Sequence, residues 1–157
     1  MAGVKIYIAM TTELTLLTTS GFKTLLMYEA ASNVRALIES WGVYPRGKVN
    51  SDEPVRFRLV KCSDNGTGGT AITTSAVTIN DVAETKTGTF TQGTFSVEPT
   101  VSEVWDQKSV HPQAGIEWPS ITPGMRQVGG GDIIAILYEN DGGGAAIPCT
   151  AELLLEQ

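Results

Sequence analysis

From Asp132 to Glu156 the chain reads DIIAILYENDGGGAAIPCTAELLLE. Two apolar runs flank a glycine cluster. Neither run approaches the roughly 20 residues needed to cross a bilayer as a helix. Apolar runs of this length, bounded by turn residues, fit buried strands. The spacing predicts a strand over Asp132–Asn140, a flexible turn at Asp141–Gly144 and a second strand over Ala145–Glu156, folded back as an antiparallel hairpin.

The rest of the chain has the same character. Threonine, valine and isoleucine recur, and 17 glycines break the chain at short intervals. That composition favours strands and tight turns over helices. Strands are expected near 4–9, 23–30, 36–44, 55–62, 70–79, 86–97, 101–109, 132–139 and 146–155. Such an array suggests an all-β fold, an antiparallel β-sandwich or jelly-roll-like barrel. With 157 residues the length fits one domain. Residues 1–20 read as an N-terminal arm or first strand, and 21–157 as a single β-sandwich domain.

Three segments sharpen this reading. VRFRLVKC at 55–62 alternates, with Val55, Phe57, Leu59 and Lys61 on one face and Arg56, Arg58, Val60 and Cys62 on the other. A half-buried antiparallel strand has this pattern. In TGTFTQGTFSVEP, Phe90 and Phe95 fall on opposite parities, which requires a bulge or turn near Gln92-Gly93. SNVRALIESWG conflicts with the pattern. Val34, Leu37, Ile38 and Trp41 lie at i, i+3, i+4 and i+7, the spacing of an amphipathic helix. The extended run that follows, GVYPRG, favours a strand.

The net charge is −6, with 11 basic residues scattered along the chain. Phosphate binding needs clustered Lys and Arg, so a nucleic-acid partner is not expected. No membrane span and no signal peptide are read. The two cysteines, Cys62 and Cys149, are too few for a disulfide scaffold and fit a reduced compartment, although one bridge stays open.

Glycine-rich NGTGG at 65–69 lacks the Lys and following helix of a phosphate loop and reads as a strand connection. VGGGD at 128–132 lacks the GxGxxG spacing of a dinucleotide site. His111 is the only histidine, and no CxxC or HxxxH accompanies it, so no metal site is expected. No GxSxG-type nucleophile motif is present either, and His111, followed by Pro112, reads as a turn cap. Glu98, Glu103, Asp106 and Glu117 crowd one region and read as solvated strand ends. The sequence therefore implies no enzyme, no catalytic residue and no cofactor. Trp41, Tyr44, Trp105 and Trp118 are candidate interface aromatics, for a subunit contact or a sugar platform. The X-Pro steps of WPSITPG place Trp118 in an extended loop.

The segments ASNVRALIESWGVYPRG, PVRFRLVKCSDNGTGGTA, EVWDQKSVHPQAGIEWPSI, DIIAILYEN and AAIPCTAELLLEQ occur in that order. Over residues 30–157 the chain resembles the capsid decoration, or cement, proteins of tailed bacteriophages. The resemblance implies a β-sandwich that binds the outer surface of the assembled head as a homotrimer. Its partners would be the major capsid protein and copies of itself. It would be made in the host cytoplasm and carried in the virion. Under that resemblance residues 1–20 would act as an exchange or anchoring arm. A carbohydrate-binding or tail-associated β-sandwich module is the competing expectation.

Overall fold

The computed structural model describes residues 6–17, 19–46, 54–72, 88–114, 116–119, 127–141 and 146–156. They form twelve strands: β1 (Ile6–Met10), β2 (Leu14–Leu16), β3 (Lys23–Ala30), β4 (Ala36–Pro45), β5 (Val55–Cys62), β6 (Thr67–Ala71), β7 (Gly88–Val97), β8 (Val101–Val110), β9 (Ile116–Pro119), β10 (Gln127–Val128), β11 (Ile133–Glu139) and β12 (Ile147–Glu156). No helix occurs among the described residues. The strands make two six-stranded antiparallel sheets. In the first, the order is β1-β12-β4-β10, with β2 also on β12 and β9 also on β4. The second runs β6-β7-β3-β11-β5-β8. The fold is a β-sandwich, and the two sheets stay separate rather than closing into a barrel.

Side-chain parity builds the core between them. In β12, Ile147, Cys149, Ala151, Leu153 and Leu155 are buried, and their alternate neighbours are half-buried. From β4 come Ala36, Ile38, Trp41 and Val43. The second sheet contributes Leu25, Tyr28, Phe57, Leu59, Ile134 and Ile136. Tyr28 and Phe90 stack with ring centroids 4.8 Å apart, a tilted contact typical of aromatic pairs.

The second sheet is apolar on both faces. Met27, Val60, Cys62, Phe95, Ile133, Ala135 and Leu137 form a separate buried cluster on its outer side. This is why IIAILYE shows no alternation: β11 lies between β3 and β5 and is covered front and back. β5 has the expected parity but is not a half-buried strand, because Val60 and Cys62 are buried as well. Arg56 and Arg58 share that outer side over the Phe22 ring, with the Arg58 guanidinium 3.9 Å from its centroid.

The expected C-terminal hairpin does not form. β11 pairs with β3 and β5 in the second sheet, whereas β12 pairs with β1, β2 and β4 in the first. Both runs are strands, but the chain between them changes sheet. A buried strand finds the neighbours that cover its apolar area, and sequence proximity does not decide which these are.

β4 is a strand, not a helix. Its pairing with β12 slips where Leu154 faces Ser40 and Leu155 faces Ile38, leaving Glu39 as an extra residue. The bulge brings Ile38 and Trp41, three apart, to the same buried face. A bulged strand thereby imitates helical spacing. Likewise, β7 pairs with β3 only as far as Gln92, and Thr94 takes a positive φ of 61°. Phe90 then joins the main core and Phe95 the outer cluster, as the two parities require. The strand expected at 70–79 overlaps β6 at residues 70–71, and its remainder falls largely outside the described residues.

Residues 6–16 belong to the first sheet. Ala9 is 1% exposed and Leu16 is fully buried. β1 and β2 occupy one edge of β12, separated at Thr11. There the Thr11 N–H donates to Ala151 O, and Ala151 N–H donates to Thr11 Oγ1, both at 2.9 Å. The hydroxyl stands in for a ladder carbonyl. Thr12 and Gln92 then exchange two hydrogen bonds of 2.8 and 3.0 Å, tying this edge to β7 in the other sheet.

Candidate binding cleft and exposed rim

Trp41, Tyr44 and Trp105 do not assemble into one surface. Trp41 lies in the main core at 3% exposure. Tyr44 is half-buried on the opposite face of the same strand, over Gly42, where an added Cβ would come 2.8 Å from its hydroxyl. Trp105 sits at a bulge of β8 in the other sheet, half-buried against the core. Trp118 lies in β9, directly opposite Trp41 of β4. It belongs to a short paired strand, not to the expected loop.

His111 takes a turn-capping role. Gln113 N–H donates to His111 Nδ1 at 3.3 Å, and Ala114 N–H donates to the His111 carbonyl at 2.8 Å. NGTGG connects β5 to β6: Asp64 Oδ1 accepts the N–H of Gly66 and of Thr100, closing the turn and holding the β7–β8 connection beside it. These bonds hold the Asp64 carboxyl below its ordinary range. VGGGD closes the turn into β11, where Asp132 N–H donates to Gly129 O and Gly129 N–H donates to Asp132 Oδ2. Cys62 and Cys149 are free thiols buried in different clusters. Burial pushes them up to about 11 and about 12. Among the described residues no three His, Cys, Asp or Glu side chains gather as a metal site would require.

Two features remain with functional potential. The first is a cleft of about 420 Å³ where the edge of β2 faces the kink of β7. Leu14, Leu25, Phe95 and Tyr138 give it apolar walls, and Glu98 and Lys23 supply charge. Glu98 is not a solvated strand end. Its side chain is 25% exposed, and Oε2 accepts both Thr24 N–H at 2.9 Å and Thr24 Oγ1–H at 2.7 Å. Lys23 Nζ lies 3.6 Å from its other oxygen. Tyr138 is held above its usual value, first by burial, with the charge of Glu98 adding to it. The sequence signal for this cleft was the parity conflict of Phe90 and Phe95, because the kink that resolves it opens the cleft. The identity of Glu98 as its anchor had no local signal, since Thr24 is 74 residues away.

The second feature is a set of exposed valines, two of which, on β8, form an apolar rim. Val97, Val101 and Val104 are 59%, 39% and 45% exposed. Val101 lies beside Cys62 and Val104 beside Val60, so the rim continues the outer apolar cluster into solvent. β8 is the last strand of its sheet, but its register slips twice against β5. Bulges of this kind spoil an edge for further strand pairing. The rim therefore offers side chains rather than a ladder.

No family model matches the chain, and no curated protein matches it. Among solved structures, a chain in the "Structure of infectious bursal disease virus Gx strain" is similar at 13% identity and a TM-score of 0.23. The match covers 99% of this chain and 40% of that one, so the chain spans about two-fifths of its neighbour's length. A likeness this slight carries no argument about fold or function.

Proposed function

We propose that the chain is a virion structural protein, a decoration or cement protein that binds the outside of an assembled phage head as a homotrimer. The observation that carries this reading is the pair of exposed valines on β8, Val101 and Val104, at the edge of an acidic sandwich. Adjacent exposed apolar side chains at a polar surface are candidates for a contact site. Covering the two half-exposed valines contributes on the order of 2 kcal/mol. That is weak for one copy, but three copies joined in a trimer engage together and gain by effective concentration. A protein that binds only the assembled shell stabilises it by mass action. The order of segments over residues 30–157 supports the same reading. The sugar-platform alternative loses support with Trp41, which lies inside the core.

The test is co-sedimentation of the purified chain with heads assembled without it. Saturable binding at a fixed ratio, with a higher melting temperature of the heads, is expected. Val101→Glu with Val104→Glu should abolish it while leaving the chain folded and its trimer mass unchanged by light scattering. Failure of the wild-type chain to sediment with heads would overturn the reading.

A further inference from the structure

We propose that the edge of β2 at Thr15, on which no strand lies among the described residues, and the cleft beside it dock an extended basic segment of another polypeptide as an added strand. The argument begins with a proline. Arg46 N–H donates to the carbonyl of Pro148 at 2.7 Å, so Pro148 directs its backbone toward β4. In an antiparallel ladder the N–H and C=O of one residue point to the same side. Pro148 is the register partner of Thr15. Their pair is therefore a non-hydrogen-bonded one, and the Thr15 N–H and C=O point away from β12, out of the sheet edge. Ala151, which bonds Thr11 on this side, keeps the same alternation.

A strand laid along that edge would send its alternate side chains inward, on the side of Leu14 and Leu16. That side opens onto the cleft of about 420 Å³, within the ~300–1,000 Å³ typical of ligand clefts. Leu14 and Phe95 would take the aliphatic stem of a long side chain. Leu17, at 59% exposure, forms the lip. Glu98 is an anionic group held in place within the cleft. Its two bonds from Thr24 fix the carboxylate before any ligand arrives, which lowers the ordering cost of binding. Lys23 approaches only to 3.6 Å and its side chain is 48% exposed, so an incoming cation can share Glu98 with it. Glu13 also lines the cleft, already paired with Arg46. The chain's net charge of −6 favours the approach of a cation. Main-chain bonds to Thr15 would supply affinity, and the inward Lys or Arg would supply specificity. The inference holds whether or not the chain decorates a capsid.

The experiment is an amide NMR titration of the full chain with the capped peptide acetyl-Val-Thr-Lys-Thr-Val-amide. Saturable shifts are expected at Thr15, Leu17 and Thr24. Replacing the peptide lysine by norleucine, or Glu98→Gln in the protein, should each weaken binding about tenfold, the loss of one charge-assisted contact. N-methylation of the peptide backbone should remove binding. If Glu98→Gln disturbs the fold, the norleucine and N-methyl peptides on the unaltered protein decide the matter. No shift at Thr15 and Thr24 up to millimolar peptide would overturn the proposal. So would equal affinity for lysine, norleucine and glutamate peptides.

Discussion

The two sheets use opposite ways of being buried. In the first, β12 buries every second residue and leaves the others half-exposed on the outer face. In the second, β11 buries six consecutive residues, because its side chains pack into apolar clusters on both faces of the sheet. A polar side chain on the outside of the first sheet keeps contact with water. The same chemistry on the outside of the second is enclosed. Two strands of similar composition therefore differ in what they tolerate.

The sharpest way to break this comparison is a pair of matched substitutions. Ala135→Asp places a carboxylate at 1% exposure in the outer cluster of the second sheet. It should cost about 4 kcal/mol or more, as an unpaired buried charge. Thr150→Asp, half-buried on the outer side of the first sheet, should cost less than about 1 kcal/mol. Urea unfolding measures both, and equal costs would mean that the second sheet is not covered. A smaller loss, about 3 kcal/mol, is expected for Gly66→Ala. Gly66 has a φ of 59°, and its added Cβ would lie 2.3 Å from the Val97 carbonyl oxygen. A circular-dichroism melt of this variant tests whether the β5–β6 connection must pass that close.

The thiols sharpen the comparison chemically. Both are raised by burial, to about 11 for Cys62 and about 12 for Cys149. A raised group stabilises the fold fully below its unfolded value of 9.0, and this contribution is lost as pH rises through 11–12. Native protein at pH 8 should react slowly with a thiol reagent, Cys62 ahead of Cys149, and both should react at once in urea. Mass spectrometry of the first labelled peptide decides the order. The smallest effect concerns Asp132. Burial alone would raise this carboxyl, but bonds from Lys61 and the Gly129 N–H outweigh it and leave it depressed. Its stabilisation is present above pH 3.8 and lost as pH falls below that value. Asp132→Asn should flatten the acid limb of a stability-against-pH curve, and an unchanged limb would assign it to other carboxylates.

How legible each region was in sequence follows the same contrast. The strand at 55–62 announced itself by parity and those at 23–30 and 132–139 by composition, and the all-β sandwich followed. Register slips did not. The extra Glu39 made β4 resemble a helix, and the same device made Phe90 and Phe95 look incompatible with one straight strand. Pairing partners were the least visible. A run buried on both faces, such as IIAILY, carries no parity to say which sheet it joins, and so local sequence points to a hairpin of β11 and β12 that the fold does not contain. The cleft depended on a contact between Thr24 and Glu98, which local sequence cannot encode. The aromatics were conspicuous in sequence because they are large, and Trp41 turned out to be core.

The place of β12 has a consequence in time. It joins β1, β2 and β4, pairing Ile6 with Glu156 and Leu14 with Cys149. A growing chain thus carries three strands of the first sheet before their shared neighbour exists. The second sheet has all its strands once β11 emerges. Until β12 follows, the inner face of that second sheet waits for its cover, and contacts of such long sequence separation form slowly. Uncovered apolar surface of this kind is what makes a partly folded chain prone to associate with its neighbours.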